Sequence, residues 1–257
     1  MGDLVSIITP SYNTARFIGE TIESVLNQTY TNWEMLIIDD CSKDNTEEVV
    51  NSYHDDRIKF IKNEKNMGAA LSRNKALRMA KGRWIAFLDS DDLWLPEKLE
   101  KQIAFMENNN YAFTCTARET MSEEGKLVGH IVKSPKHVGK LGMYLYCWPG
   151  TLGTMYDANV VGLIQVADLK KNNDTAMWLK VIKKADFYFY DEILARYRVR
   201  KNSIFHDKKS KLIKSFYTLY REGEGFGPIR SSLLLVTNLF FGVVKQTFFE
   251  KNYKVEE

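Results

Sequence analysis

Four polar residues, Asp89-Ser90-Asp91-Asp92, directly follow five apolar ones, Trp84-Ile85-Ala86-Phe87-Leu88. Clustered carboxylates repel and raise one another's pKa. A hard cation relieves that repulsion. Two carboxylates one residue apart can reach the same Mn²⁺ or Mg²⁺ and leave coordination positions for water and a phosphate. The competing reading is a helix start, where aspartate caps free N–H groups and meets the positive end of the helix dipole. The position of the turn after an apolar strand favours the cation.

Other residues could do chemistry beside it. Asp39-Asp40 also ends an apolar run; Asp40 can cap the next helix or accept hydrogen bonds from a base or ribose. Tyr12, in Pro10-Ser11-Tyr12-Asn13, can pack within the fold or stack on a base, a contact worth about 1–3 kcal/mol. Arg73 lies near the start of a helical pattern, where charge and helix dipole together suit phosphate.

The elements that must position these groups alternate. A strand from Leu4 to Thr9 is expected to stop at Pro10, and Phe17, Ile18, Ile22, Val25 and Leu26 recur with helical spacing. Trp33 to Ile38 reads as a strand, after which Ser42 is placed to cap a helix through Val49, Val50 and Tyr53. Ile58 to Ile61 is a third strand. A helix through Ala70, Leu71, Ala76, Leu77 and Ala80 follows, closed by Gly82. Trp84 to Leu88 is a fourth strand, apolar enough to be buried on both faces. This alternation predicts an α/β protein with a Rossmann-like, mostly parallel central sheet and flanking helices. Ligands of such sheets sit beyond the carboxyl ends of the strands, so the three turns should converge on one crevice.

Beyond Pro96 a helix leads to a strand over 112–117, and the stretch from Ser122 to Gly150 is turn-rich and poorly patterned. A short strand at 152–156, a helix over 175–184, and separate strands near Phe187 and over 194–199 precede closing helices from Lys208 onward.

Five segments in order, Ile7-Ile8-Thr9-Pro10-Ser11-Tyr12-Asn13, Ile37-Ile38-Asp39-Asp40-Cys41-Ser42, Asn66-Met67-Gly68-Ala69-Ala70 through Arg73-Asn74, Lys81-Gly82, and Phe87-Leu88-Asp89-Ser90-Asp91-Asp92, resemble glycosyltransferase family 2, the inverting GT-A enzymes. Weaker likeness continues through Thr154-Met155-Tyr156-Asp157, Asn173 to Leu179, and Tyr197 to Ile204, where the chain resembles the bacterial branch that builds O-antigen, capsule and teichuronic-type polysaccharides. The resemblance implies a nucleotide-diphosphate sugar donor, a UDP-sugar first among them, and a divalent metal. It also implies a saccharide acceptor linked to a polyprenyl diphosphate. Pro10, Tyr12 and Asn13 would hold the base, and Asp40 would bond its edge. Arg73 would neighbour ribose or diphosphate; Asp89 and Ser90 would lie against the ribose or metal-bound water. Asp91 would ligate the metal with Asp89, Asp92 would assist, and Asp174 would be the catalytic base. An inverting displacement needs a carboxylate to take the acceptor's proton. Asp174 opens a helix with an apolar face, and its other reading is a cap. Where many relatives place a metal-binding histidine, this chain has Arg200, with His206 out of register. Arg196, Arg198, Arg200 and Lys201 are then candidates to neutralise a leaving diphosphate or an acceptor's pyrophosphate.

The whole chain sets bounds. It has 257 residues, enough for one large domain: a GT-A domain over 1–206, in a nucleotide-sugar half (1–110) and an acceptor half (111–206), and a helical extension over 207–257. The formal charge of +3 gives no case for nucleic acid. Eight basic residues against one acidic between Arg196 and Lys214 make either a solvated face or a site for phosphate or anionic lipid. Cys41, Cys115 and Cys147 form no disulfide or metal pattern, and no secretory signal is expected at the start, which suits a cytoplasmic protein. Residues 229–249 are apolar but broken by Arg230, Asn238 and Lys245, short of the about 20 apolar residues of a spanning helix. They would lie on the inner face of the cell membrane or pack on the domain. Nucleotidyl transfer and a non-catalytic saccharide- or nucleotide-binding module are the alternatives. No G-x-G-x-x-G follows a strand, which disfavours a dehydrogenase.

Overall fold

The structure, a computed structural model of the chain, describes residues 2–146, 149–200 and 209–255. Cys147, Lys201 to Ile204, His206, Asp207 and Lys208, all used in the sequence reading, lie outside the described residues.

The first half runs β1 (Val5–Ser11), α1 (Ile18–Leu26), β2 (Trp33–Asp39), α2 (Thr46–Asn51), β3 (Ile58–Lys62), α3 (Ala69–Met79) and β4 (Trp84–Phe87). β1 pairs in parallel with both β2 and β4, and β2 with β3. Every residue of β1, β2 and β4 is buried, as expected for parallel strands covered on both faces.

The second half runs β5 (Leu93–Trp94), α4 (Lys98–Asn109), β6 (Phe113–Met121), β7 (Leu127–Val132), β8 (His137–Val138), α5 (Lys140–Tyr146), β9 (Thr154–Asp157), α6 (Ala158–Val161), α7 (Asn173–Val181) and β10 (Phe187–Arg198). α8 (Lys209–Thr218), a π-helical turn (Leu219–Gly223), α9 (Pro228–Phe249) and β11 (Glu250–Asn252) follow. The sheet order is β11-β7-β6-β9-β4-β1-β2-β3, with β10 parallel to β6 and antiparallel to β5 and β8. β9 is antiparallel to β4 and β6, so the parallel first half of the sheet meets a mixed second half.

Four local expectations are corrected. β1 does not stop at Pro10 but continues to Ser11, still paired with β2. Pairing with β4 ends at Ile8, so beyond it proline's missing N–H costs nothing on that side. Gly82 is not a helix cap; it lies where a Cβ would come within 2.5 Å of the Leu4 carbonyl oxygen and 2.6 Å of the Ser6 nitrogen. Ser42 does not cap α2, whose N-cap is Asn45; its hydroxyl instead donates to Asp39 Oδ1 at 2.5 Å. The two strands expected between 187 and 199 are one, β10, with register shifts on either side of Ile193.

The segment after 206 is built into the protein. Leu219 and Tyr220 are fully buried in the core that contains Trp178, and the Tyr220 hydroxyl donates to Tyr144 O at 3.0 Å. β11 then adds to β7 as an edge strand. At the opposite edge, β3 carries Lys59 and Lys62, paired with Glu34 and Glu47 at 2.7 Å each.

Candidate functional site

The ends of β1, β2 and β4 do converge. Asn13 adopts φ 51° and clasps the neighbouring loop: Ser42 Oγ accepts from its N–H, and its Oδ1 accepts from Lys43 N–H, both at 2.8 Å. Tyr12, beside it, is 46% exposed, so its ring is open to a planar partner. Asp40 is buried and does not cap α2. Its Oδ1 accepts from Met67 N–H at 2.8 Å and Asn63 Nδ2 at 3.1 Å, and its Oδ2 from Gly68 N–H at 2.7 Å. A direct bond to a base would use only the lone pairs these donors leave. Gly68 takes φ 88°, a conformation that favours glycine, and α3 starts immediately after it. Asp40 thereby sets where α3 begins, and α3 carries Arg73.

Arg73 is the centre of the site. Its guanidinium is buried, donates from Nη2 to Asp89 Oδ1 at 2.7 Å, and from Nη1 to Asn173 Oδ1 at 2.9 Å. Burial works against its charge, but Asp89, and at longer range Asp174, hold its pKa above the ordinary value. Asp174 is the second residue of α7, not its cap, which is Asn172. Its Oδ1 accepts from Thr175 N–H at 2.7 Å, and its Oδ2 is 3.4 Å from Thr151 Oγ1. α7 is fixed from below: Trp178 meets Phe87 edge-on at 5.2 Å and stacks on Phe113 at 5.7 Å. Phe87 is two residues before Asp89, so one aromatic contact registers the Asp174 helix against the acidic turn.

In that turn Asp92 N–H bonds Asp89 O at 3.1 Å, and Ser90 is buried. Burial and the neighbouring Asp89 carboxylate push the Asp91 carboxyl above its ordinary pKa, against the pull of Arg200, whose Nη1 is 3.1 Å from Asp91 Oδ2. Asp92 is raised further by burial, Asp91 and Asp89, although its Oδ1 accepts from Arg198 N–H at 2.8 Å. These residues fit a hard cation, because the unrelieved carboxylate repulsion is what a cation removes. Among the described residues no group of three or more His, Cys, Asp and Glu could hold a metal, so the remaining ligands would be phosphate and water.

The arginines of β10 divide. Arg198 is 2% exposed, and its Nε, Nη1 and Nη2 donate in turn to Asp91 O, Glu123 O and Glu20 Oε2 at 2.8, 2.9 and 2.7 Å. It braces the acidic turn, and its burial closes its guanidinium to a diphosphate. Arg196 is paired with Glu119 at 2.8 Å, so of the three guanidinium groups that of Arg200 is the one that meets a carboxylate of the turn, while Arg198 meets Asp92 through its backbone N–H. Asp157 is structural, capping α6 and pairing with Arg83. No role was assigned from the sequence to Asn173, named only as the start of the likeness through Leu179, or to Thr151, whose one signal was its place beside Gly150.

The family model for glycosyl transferase family 2 matches residues 6–155. TuaG of Bacillus subtilis strain 168, a glycosyltransferase named for teichuronic acid biosynthesis, is 41% identical over 224 residues, covering 86% of this chain and 88% of its own. WfgD of Escherichia coli, named as a UDP-Glc:α-D-GlcNAc-diphosphoundecaprenol β-1,3-glucosyltransferase, is 37% identical over 253 residues and 98% of both chains. The structure of residues 1–349 of Staphylococcus aureus TarS in complex with UDP-GlcNAc shares the fold, with a TM-score of 0.72 at 21% identity over 91% of this chain and 71% of that one. With its acidic turn, Arg73 and the α7 carboxylate gathered at the strand ends of a GT-A sheet, the chain belongs to glycosyltransferase family 2.

Proposed function

We propose that this glycosyltransferase moves a sugar from a UDP-sugar, with inversion, onto a saccharide carried by a polyprenyl diphosphate, in the synthesis of a bacterial surface polysaccharide. The observation that carries the reading is Arg73, whose guanidinium spans from Asp89 of the acidic turn to Asn173 beside Asp174. The donor's base would stack on Tyr12, within the loop formed by Pro10 and Asn13 and shaped by Asp40. Its diphosphate would lie between Arg73 and the acidic turn. A divalent cation held by Asp91, with Asp89, would neutralise the leaving diphosphate. Asp174 takes the proton of the acceptor hydroxyl as that oxygen bonds to the anomeric carbon. The bond from that carbon to the diphosphate oxygen breaks, and its electron pair leaves with the nucleotide. Arg200, beside Asp91, is placed to meet the departing charge.

Calorimetry with UDP and Mn²⁺ tests the donor site. Asp91→Asn is expected to weaken Mn²⁺-dependent UDP binding at least about tenfold, the scale of one lost charged contact. Unchanged binding removes Asp91 from the metal.

The relatives' diphosphoundecaprenol acceptor favours work at the inner face of the cell membrane, and α9 offers the means. Ile229, Leu233, Val236, Phe240 and Val243 are all exposed and fall at helical spacing on one stripe, while Ser231 and Asn238 are buried. This reverses the usual polarity of a surface helix and suits a helix lying in a lipid interface. Asn238 Nδ2 donates to Leu145 O at 3.1 Å, so the opposite side is docked on the domain. The helix, 22 residues with mean hydropathy 1.4 in its most apolar window, is also long and apolar enough to cross a membrane. Its docked side favours the interfacial placement. Leu233→Glu with Phe240→Glu is expected to abolish sedimentation with vesicles containing phosphatidylglycerol without changing UDP binding. Sedimentation equal to wild type rules the stripe out.

A further inference from the structure

A cavity lies between β6, the end of β7, the 149–150 turn and α9, lined among others by Thr116, Arg118, Lys133, Ser134, Gly150 and Lys245. Two hydroxyls of its wall are unused: Thr116, 2% exposed, has no partner for Oγ1, and Ser134 Oγ is equally without one. Buried hydroxyls left unpaired are costly, so a ligand that pairs them is favoured. Lys133 is tied to Asp191 at 2.7 Å, whereas among the described residues Arg118 makes no direct salt bridge; the carboxylate it feels is Asp92, whose pKa it lowers from a distance. Its guanidinium lies 5.8 Å from the Tyr197 ring, and Nη1 would be 2.8 Å from a Cβ at position 150, so glycine there makes room for it.

The position of the cavity gives it meaning. Thr151, next to Gly150, is the residue that touches Asp174. On the other side Lys133 N–H bonds Phe249 O at 2.8 Å, which joins the cavity's rim to the end of α9. A cradle suited to an anion therefore sits between the base and the helix bearing the exposed apolar stripe. That is the order of parts in a molecule that is sugar at one end, diphosphate in the middle and hydrocarbon at the other.

We propose that this cavity binds the diphosphate of the lipid-linked acceptor, with Arg118 as its cation and Thr116 and Ser134 donating hydroxyls. The assignment rests on the proposed acceptor class and moves the acceptor-anion role from Arg198 to Arg118. Arginine presents paired N–H groups that match phosphate oxygens, and a group held there would leave its sugar directed at Asp174.

Farnesyl diphosphate, titrated into the metal-free full-length protein, is the probe for the cavity, inorganic pyrophosphate reports the headgroup alone, and UDP with Mn²⁺ reports the donor site. Arg118→Gln is expected to weaken farnesyl diphosphate at least about tenfold, the loss of one charge-assisted pair, with UDP binding unchanged. Ser134→Ala, which removes only a hydroxyl, should weaken it about threefold, the scale of a neutral hydrogen bond, and serves if Arg118→Gln does not fold. No binding by wild type, wild-type affinity in both variants, or displacement of farnesyl diphosphate by UDP overturns the subsite. Binding of pyrophosphate as tight as farnesyl diphosphate overturns a lipid source for the anion. Failure of wild type to bind UDP with Mn²⁺ strikes instead at the proposed function, independently of the farnesyl diphosphate result.

Discussion

Asp174→Asn is expected to reduce sugar transfer by about 10²–10⁴-fold, the usual contribution of a positioned general base, while UDP binding changes less than about twofold, well under one lost hydrogen bond. The amide is isosteric with the carboxylate and its oxygen can still accept from Thr175 N–H, the 2.7 Å bond at the start of α7. α7 itself is held by Trp178 between Phe87 and Phe113, a contact that the isosteric change one turn away leaves in place, so the fold should survive. What the amide cannot do is take a proton. The contact of Arg73 with Asp89, proposed to meet the donor, is also untouched, which is why binding and turnover should separate. Turnover within about tenfold of wild type would place the base elsewhere.

The second large effect concerns stability. Lys98, at the start of α4, is fully buried with its Nζ 3.7 Å from the centre of the Trp94 ring and no hydrogen-bond acceptor. Burial pulls its pKa down from 10.5 to about 7, with Cys115 a small opposing influence. That gap corresponds to on the order of 5 kcal/mol of penalty against the charged form. The sign follows from proton counting. Between pH 7 and 10.5 the unfolded chain holds a proton at this position that the folded chain has released, so folding becomes more favourable as pH rises. Below about 7 both states are protonated and the whole penalty is present. Lys98→Met keeps an unbranched apolar stem and removes the charge. It is expected to stabilise the protein at pH 6 by at least about 2 kcal/mol, roughly 4–8 °C in unfolding midpoint for this size. It should also flatten the pH dependence by up to about 1.4 kcal/mol per pH unit. Parallel stability curves for wild type and variant between pH 6 and 9.5 would show that Nζ is solvated or paired in solution.

The first half of the chain was the legible part. β1, β2 and β4 announce themselves as short apolar runs, and each ends in an abrupt change to polar residues. The misreadings there were non-local. Pro10 stays in β1 because β4 stops pairing at Ile8, and Gly82 is required by the backbone of Leu4 and Ser6, neither visible from neighbouring residues. The stretch from Ser122 to Gly150 stayed opaque because β7, β8 and α5 are short, and β8 and α5 lean on β10 and α9, which lie far along the chain. Charge misled most. Arg198 read as a phosphate ligand because a basic run does not reveal that Glu20, 178 residues away, already accepts from its guanidinium. Lys98, in the charged string Pro96-Glu97-Lys98-Leu99-Glu100-Lys101, looks solvent-facing, and only the packing of α4 on the sheet buries it.

The two outermost strands bear on how copies of the enzyme behave together. A sheet of eleven strands with bare, apolar margins would invite a neighbour's strand to extend it. β3 instead presents lysines already held by Glu34 and Glu47, and β11 is only Glu250-Lys251-Asn252. A second chain would have to strip water from those charges for a ladder of three to five residues. Molecules gathered on a surface through α9, as proposed above, would meet at margins that resist polymerisation, and local crowding would raise their concentration without templating fibres.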